Sequence, residues 1–316
     1  MKLNKIAMGL IAASLSLAAS SVMAAGGEIA VIVKTVNSTF WQNVQKGVNG
    51  AAPELKGYTT SFQGPAAETA IADQVSLVEN AINRKVAGIV LAPSDADALV
   101  PVLKKAFEAK IPVVLIDSAV SDAGKPYYQA MLSTDNKKAG EMAAKALIAK
   151  VGQTGKIAIF SYVAGAGSEI GRVGGFTDYV KKNSKLTIVG PFYSQSQMAT
   201  ALNQTTDALT ANPDLKGAFG ANEPTAIGMA RAIAQAGKGG KIVAIGFDGN
   251  SDLAGFVKDG TLEGIVVQSA YNMGADGIKT VAKLIEGKKV DAIVDTGAVY
   301  VSKANIDKPE AKNVLY

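Results

Sequence analysis

Neither cysteine nor histidine occurs anywhere in this chain of 316 residues, and there is a single tryptophan. Without histidine there is no Ser-His-Asp or Cys-His hydrolase, no HExxH zinc site and no imidazole base. Without cysteine there is no disulfide, thiolate nucleophile, iron–sulfur cluster or lipid-modified cysteine anchor. Most hydrolytic and redox chemistry is thereby excluded, and neither a cofactor nor a metal is expected. Charge is sparse at 19%, with 32 basic against 27 acidic residues. The lysines fall in scattered pairs such as Lys104-Lys105, Lys137-Lys138 and Lys181-Lys182. A nucleic-acid groove would need clustered basic residues with interleaved aromatics, so no nucleic-acid partner is expected. What the chain has in quantity is apolar residues, 48% of the total, and 33 glycines. That is ample for a packed core, and the length exceeds what one core usually serves, so two domains or one large α/β unit is expected.

The only long apolar run is at the amino end. Lys2 and Lys5 precede Ile6–Ala19, and the small-residue stretch Ser20-Ser21-Val22-Met23-Ala24 follows. A charged start, an apolar middle and small residues before a cut are the parts of a secretory signal, and the run is short of the about 20 residues that span a bilayer. Residues 1–24 are therefore read as a signal peptide cleaved near Ala24. The mature chain is expected to be soluble and exported, into a bacterial periplasm.

Beyond that point strands and helices alternate. Glu28–Val33, Gly88–Ala92 and Val113–Ile116 are short β-branched apolar runs of the kind buried on both faces of a parallel sheet. Tyr58–Phe62 reads as a further strand. Ile71, Val75, Val78 and Ile82 recur at helical spacing, and Pro93-Ser94-Asp95 signals the start of a helix carrying Leu99, Leu103 and Phe107. The rhythm restarts with strands at Lys156–Phe160, Leu186–Val189, Lys216–Phe219, Lys241–Phe247 and Gly264–Gln268. Helices are expected over Ile170–Val180, Thr200–Thr210, Thr225–Ala236 and Tyr271–Glu286. Such alternation means βαβ units, and the strand count is too large for one comfortable sheet; two doubly wound parallel-sheet lobes fit it better.

Open α/β sheets bind ligands just beyond the carboxyl ends of their strands. Several of those ends carry polar or aromatic residues: Lys34, then Phe40-Trp41 opening the next helix, Asp117-Ser118, Asn222-Glu223 and Phe247-Asp248-Gly249. Each alone has a plain explanation as a turn or helix cap; together they fall on one edge of two sheets. Nucleotide motifs fail. No GxxxxGK[ST] loop exists, and Gly165-Ala-Gly167-Ser-Glu-Ile-Gly171 lacks a glycine at position 170, while Ser168 lacks the flanking glycines of a nucleophile elbow.

Several segments together resemble the ribose/allose-binding family of periplasmic substrate-binding proteins, which feed ABC sugar importers. They are Ile29-Ala-Val-Ile-Val-Lys-Thr-Val-Asn37 with Phe40-Trp41, Ala92-Pro-Ser-Asp95, Ile111-Pro-Val-Val-Leu-Ile-Asp117, Ser133-Thr-Asp-Asn136 with Ala139-Gly140, Arg172 with Gly175-Phe176, Asn212-Pro-Asp214, Asn222-Glu223 with Ala226-Ile-Gly228, and Gly246-Phe-Asp-Gly249. The resemblance spans essentially the whole mature chain. It implies a type I periplasmic binding protein fold, with one lobe from residues 25–134 plus 269–297 and another from 135–268 plus 298–316. Three hinge crossings are expected, near Ser133-Thr134, Gln268-Ser269 and Gly297.

It also implies a ligand pocket. Phe40 and Trp41 would pack on a sugar ring, Asp117, Arg172, Asn222, Asp248 and Gln268 would bond its hydroxyls, and Lys34 stands where allose-type members also carry a lysine. Lys34, Ser38, Ala92 and Ser118 depart from the ribose pattern of serine, asparagine, asparagine and arginine, which speaks against ribose, while Lys34, Trp41 and the Ala92-Pro93 pair lean toward an allose-like hexose. The residue types suit such a ligand, because a sugar has apolar C–H faces and a rim of hydroxyls, matched by aromatic plates and planar forked partners. Asp117 and Asp248 against Lys34 and Arg172 would keep the closed site near charge balance. Bland alternatives stay open: Phe40 and Trp41 as core, Arg172 paired with Glu169 or Asp178, Gln268 as a linker between lobes.

The expected partners are a monosaccharide and an ABC-transporter membrane permease. A chemotaxis transducer is a further partner the resemblance admits, and the protein is expected to be a monomer and not an enzyme. Rival readings are a receptor for a furanosyl quorum signal or polyol, a sugar-responsive repressor, for which the sequence lacks a DNA-binding headpiece, and a glycosidase working through paired carboxylates alone.

Overall fold

The computed structural model describes residues 26–316; the signal-peptide assignment lies outside them. Two six-stranded sheets lie side by side. The first has the order β11-β5-β4-β3-β1-β2, with every pair parallel: β1 is Gly27–Ile32, β2 Tyr58–Gln63, β3 Gly88–Leu91, β4 Val113–Ile116, β5 Ala130–Ser133 and β11 Ile293–Asp295. The second repeats that order as β12-β10-β9-β8-β6-β7. Its strands are β6 Thr154–Ser161, β7 Lys185–Tyr193, β8 Leu215–Gly220, β9 Val243–Phe247, β10 Gly264–Gln268 and β12 Ala298–Ser302. Among these β12 alone runs antiparallel, against β10; the described residues thus form two doubly wound sheets with one reversed edge strand.

Alternation along each strand explains the layering. Ile29, Val31 and Val33 face one core while Ala30 and Ile32 face another on the opposite side of the same sheet. Both faces are dry, which is why the strands read as unbroken apolar runs. The second sheet has its own two cores, one around Phe160 and Ile233, the other around Phe176, Phe219 and Phe247.

The chain passes between the sheets three times. It leaves β5 through Thr134-Asp135 for helix α4 (Asn136–Val151), which packs on β9 and β10. It returns from β10 through Ser269 into α9 (Ala270–Ile285), which lies on β3 and β4, and crosses again between β11 and β12 at Thr296-Gly297, where Gly297 has φ +77°. The helices at these crossings lie close to their neighbours. In α4, a Cβ on Gly140 would strike the carbonyl of Arg172 in α5 (Gly167–Asn183), so only glycine permits the approach that seats Arg172.

Three local readings are corrected. Pro93-Ser94-Asp95 does not open a helix: Asp95 Oδ1 accepts from the N–H groups of Asp97 and Ala98 at 2.9 and 2.7 Å, closing a tight turn, and α3 begins only at Val100. Phe107, near the end of α3 (Val100–Glu108), is 48% exposed while Leu99 and Leu103 are buried. In α2 (Ile71–Asn83) the inner stripe is Gln74, Val78 and Ala81, with Ile71, Val75 and Ile82 only half-buried. Gln74 is tolerated there because its amide N–H groups bond the carbonyls of Val33 and Ala92 and its oxygen accepts from Ser94 N–H, tying the ends of two strands together.

Candidate functional site

The carboxyl ends of both sheets point into one gap, and the eight residues singled out above, from Lys34 to Gln268, all line a single cavity there. The empty space among these side chains, part of it open to solvent, is about 310 Å³. Ser38, Glu68, Tyr162, Ser168, Glu223 and Pro224 complete the wall.

Lys34 follows β1 directly. Its ammonium lies 2.6 Å from Asp117 Oδ2 and donates to the hydroxyls of Ser118 (2.7 Å) and Ser168 (3.1 Å), and it sits 5.9 Å from the Trp41 ring centre. Phe40 and Trp41 fill the first turn of α1 (Thr39–Ala51), which Ser38 caps by accepting from Trp41 N–H. The two rings meet edge to face, centres 4.8 Å apart. Both also belong to the core of the first sheet, so the same two side chains are core residues and cavity lining at once.

Arg172 stands on the other side. It is 2% exposed and makes no ion pair with Glu169 or Asp178 among the described residues. Instead its guanidinium donates to Ala221 O (2.6 Å), to Asn136 Oδ1 (3.1 and 2.8 Å) and to Gln268 Oε1 (3.2 Å), stacked 3.6 Å from the Phe247 ring centre. Gln268 passes the chain on, donating to Asp248 Oδ1 at 2.8 Å, and the Glu223 N–H donates to Asp248 Oδ2 at 2.9 Å. These four bonds hold the planar fork in one orientation, the kind of preorganisation that recognition of planar polar groups requires.

The carboxylates feel their burial. Desolvation pushes Asp248 up to about 7, with Glu223 and Asp117 adding to the rise and Arg172 and the Gln268 bond opposing it. Burial also raises Glu223, against hydrogen bonds from Thr39 and Tyr316. Burial raises Tyr162 well above the usual phenol range; its hydroxyl donates to Ser168 at 2.8 Å.

The two lobes touch around the cavity. Glu223, at the start of α7 (Glu223–Gln235), accepts from Thr39 N–H (3.0 Å) and Thr39 Oγ1 (2.7 Å), and Asn250 donates to Thr39 Oγ1 (3.1 Å). On another side Ser196 Oγ donates to Glu68 (2.6 Å), and Ala96 N–H to Gly165 O (3.2 Å). A wider recess, about 1060 Å³ of empty space counted in the same way, opens outside the cavity, and Ser38, Glu68, Glu223 and Pro224 border both. Donors and acceptors thus ring the space, with two aromatic edges on one wall. That is a surface for a small polyhydroxylated molecule.

Tyr162 was reachable from the sequence, since it ends β6 as Lys34 ends β1, and the strand-end rule applied to Phe160-Ser161 points to it. Glu68 and Ser168 carry no such signal.

Known proteins resemble this chain over nearly all of its length. Residues 29–289 match the family "periplasmic binding protein domain". The D-allose-binding periplasmic protein of Escherichia coli is 31% identical, the match covering 84% of this chain and 87% of that protein. The ribose import binding protein of Salmonella typhimurium is 29% identical over 92% and 96%. Among solved structures, an ABC transporter solute-binding protein from Agrobacterium vitis with bound D-fucose is 73% identical, with a TM-score of 0.91, covering 92% of this chain and all of that one. A solute-binding protein from Actinobacillus succinogenes with bound D-allose is 28% identical, with a TM-score of 0.82 over 91% and 99%. These relatives are binding proteins, not enzymes.

Proposed function

This chain belongs to the periplasmic binding protein domain family, and from that membership we propose that it is the solute-binding component of an ABC importer. It takes one monosaccharide between its lobes and delivers it to a membrane permease. One observation carries the reading: eight side chains of the kinds that grip a sugar, contributed by both lobes, line one small cavity. In it Trp41 and Phe40 pack on the C–H face of the ring. Asp117, Asn222 and Asp248 accept from hydroxyls, Arg172 and Lys34 donate to them, and Gln268 holds Asp248 and Arg172 in place.

The lobes, residues 25–134 plus 269–297 and residues 135–268 plus 298–316, close by bending at the three crossings. A ligand touching both lobes stabilises the closed arrangement in proportion to its differential affinity. Export to the periplasm with cleavage near Ala24 belongs to the same reading, and the mass of the mature protein tests it.

The substrate is a six-carbon aldose in preference to ribose. An allose-like hexose is favoured by Lys34, Trp41 and the Ala92-Pro93 pair. A second candidate, D-fucose, is favoured by the bound sugar of the 73% identical neighbour. Titration calorimetry with D-allose, D-fucose, D-ribose, D-arabinose and a set of polyols decides between them. So does the mass of any ligand released on denaturing the purified protein. Micromolar or tighter binding of a hexose, about −8 kcal/mol or better, is expected. Binding of a polyol or furanosyl signal with no monosaccharide response would overturn the sugar assignment.

A further inference from the structure

The loop between β2 and α2 places a carboxylate in the cavity wall that no motif marks. Glu68 is 8% exposed and has no cation within ion-pair distance among the described residues. Its loop is anchored from below, since Ala66 O accepts from Asn37 Nδ2 (2.8 Å) and from Thr35 Oγ1 (3.4 Å). Two bonds converge on the carboxylate. Oε1 accepts the indole N–H of Trp41 at 3.0 Å, within the first lobe; Oε2 accepts the Ser196 hydroxyl at 2.6 Å, from the second.

Ser196 is held for that purpose at some cost. It and Gln195 both adopt left-handed backbone, φ +55° and +57°, a conformation that non-glycine residues avoid and that persists where surrounding structure enforces it. With its proton committed to Glu68, the Ser196 oxygen is left to accept, and it accepts from Asn222 Nδ2 at 3.0 Å. Asn222 Oδ1 meanwhile accepts from Thr225 N–H. Each amide atom is thereby assigned, so one remaining N–H and one lone pair of Asn222 have fixed directions.

We propose that Glu68 is the positioning residue of the cleft. It sets the plane of Trp41 in the open and closed forms alike. Only when the lobes meet does it recruit Ser196, and through it fix which way the Asn222 amide faces the ligand. This rests on the sugar-binding reading above. One carboxylate then couples the stacking wall of one lobe to a polar group of the other, and its loss is felt in the lifetime of the closed complex.

The test uses the full mature chain, whose sole tryptophan makes emission a report on Trp41 alone. Glu68→Ala is expected to red-shift that emission and raise acrylamide quenching in the sugar-free protein, and to weaken hexose binding by about 10- to 100-fold, the range for a lost hydrogen bond to a charged group. Glu68→Gln, whose amide oxygen still accepts the indole N–H but whose NH2 group cannot accept the Ser196 hydroxyl, should keep the wild-type emission and bind about as weakly as Ser196→Ala. Ser196→Ala should weaken binding without moving the emission, and Glu68→Ala/Ser196→Ala should bind no more weakly than Glu68→Ala alone. If Glu68→Ala does not fold, Glu68→Asp, one methylene short, replaces it with the same spectral shift expected. Wild-type emission and affinity in that variant, or additive losses in the double variant, overturn the proposal. A wild-type protein that binds no sugar would refute the sugar reading instead, and the emission of Glu68→Ala in the sugar-free protein would still decide whether Glu68 sets Trp41.

Discussion

Asp117 and Asp248 end corresponding strands of the two sheets, β4 and β9, both in left-handed backbone at φ +63° and +75°, yet among the described residues only one of them has a cation within ion-pair distance. Asp117 lies against the Lys34 ammonium. Asp248 is held by neutral donors, the Gln268 amide and the Glu223 N–H. The same backbone corner therefore presents one carboxylate paired with a cation and one bonded by neutral donors, and the two should answer differently to mutation.

For Asp248 the sign is set by its raised value. A carboxyl whose folded pKa is about 7 against an ordinary 3.8 binds more protons folded than unfolded across that window. Its contribution is fully present below pH 3.8 and lost as pH rises through 7. Asp248→Asn should therefore melt a few degrees above wild type at about pH 8 in the absence of sugar, with the gap closing toward about pH 4, while hexose binding at the higher pH is lost. Calorimetric melting at both pH values, with and without hexose, measures this; equal melting under the alkaline condition would contradict it.

Lys34→Met strands a buried carboxylate. Removing one partner of a buried pair costs about 3–5 kcal/mol, and denaturant unfolding should show a loss of that order. Adding Asp117→Asn should return most of the stability but not the hexose affinity. A double variant as unstable as the single one would mean that the pair's neighbours, not the charge, dominate.

Arg172→Lys keeps the charge and loses the fork. A lysine's single ammonium cannot stand at all the nitrogen positions from which the fork bonds Ala221 O, Asn136 Oδ1 and Gln268 Oε1, and it cannot stack flat on Phe247. Hexose affinity should fall more than a hundredfold, with about 1–3 kcal/mol of stability lost to unpaired buried groups. Affinity within tenfold of wild type would show that charge suffices.

Thr39→Val removes the hydroxyl that donates to Glu223 and accepts from Asn250 across the cleft. Because these bonds exist only where the lobes meet, stopped-flow release of hexose should quicken by about tenfold with association little changed. A slower association with unchanged release would place Thr39 on the entry route instead.

Much of the layout was legible because strands buried on both faces must be apolar throughout: Ile29–Val33 and Val113–Ile116 could be little else. Helix α4 is faint in the periodicity, since four of the six residues on its buried face are Ala139, Gly140, Ala143 and Ala144, whose smallness serves close packing on α5, and only Leu147 and Ile148 are large. In the site, strand ends led to Lys34, Asp117, Asn222 and Asp248, whereas Arg172 and Gln268 came from family resemblance alone. Glu68 escaped both. Its cross-cleft partner Ser196 is 128 residues away, and nothing local in a loop declares so distant a bond.

The triple crossing reaches back to how the molecule is made. The first sheet lacks its edge strand β11 and its covering helix α9 until residue 295 has been synthesised, by which point strands β6 to β10 of the second are already in hand. Neither half can finish early as an autonomous unit. The contacts that close each half therefore join residues far apart in the chain, which slows folding and couples the completion of one half to that of the other.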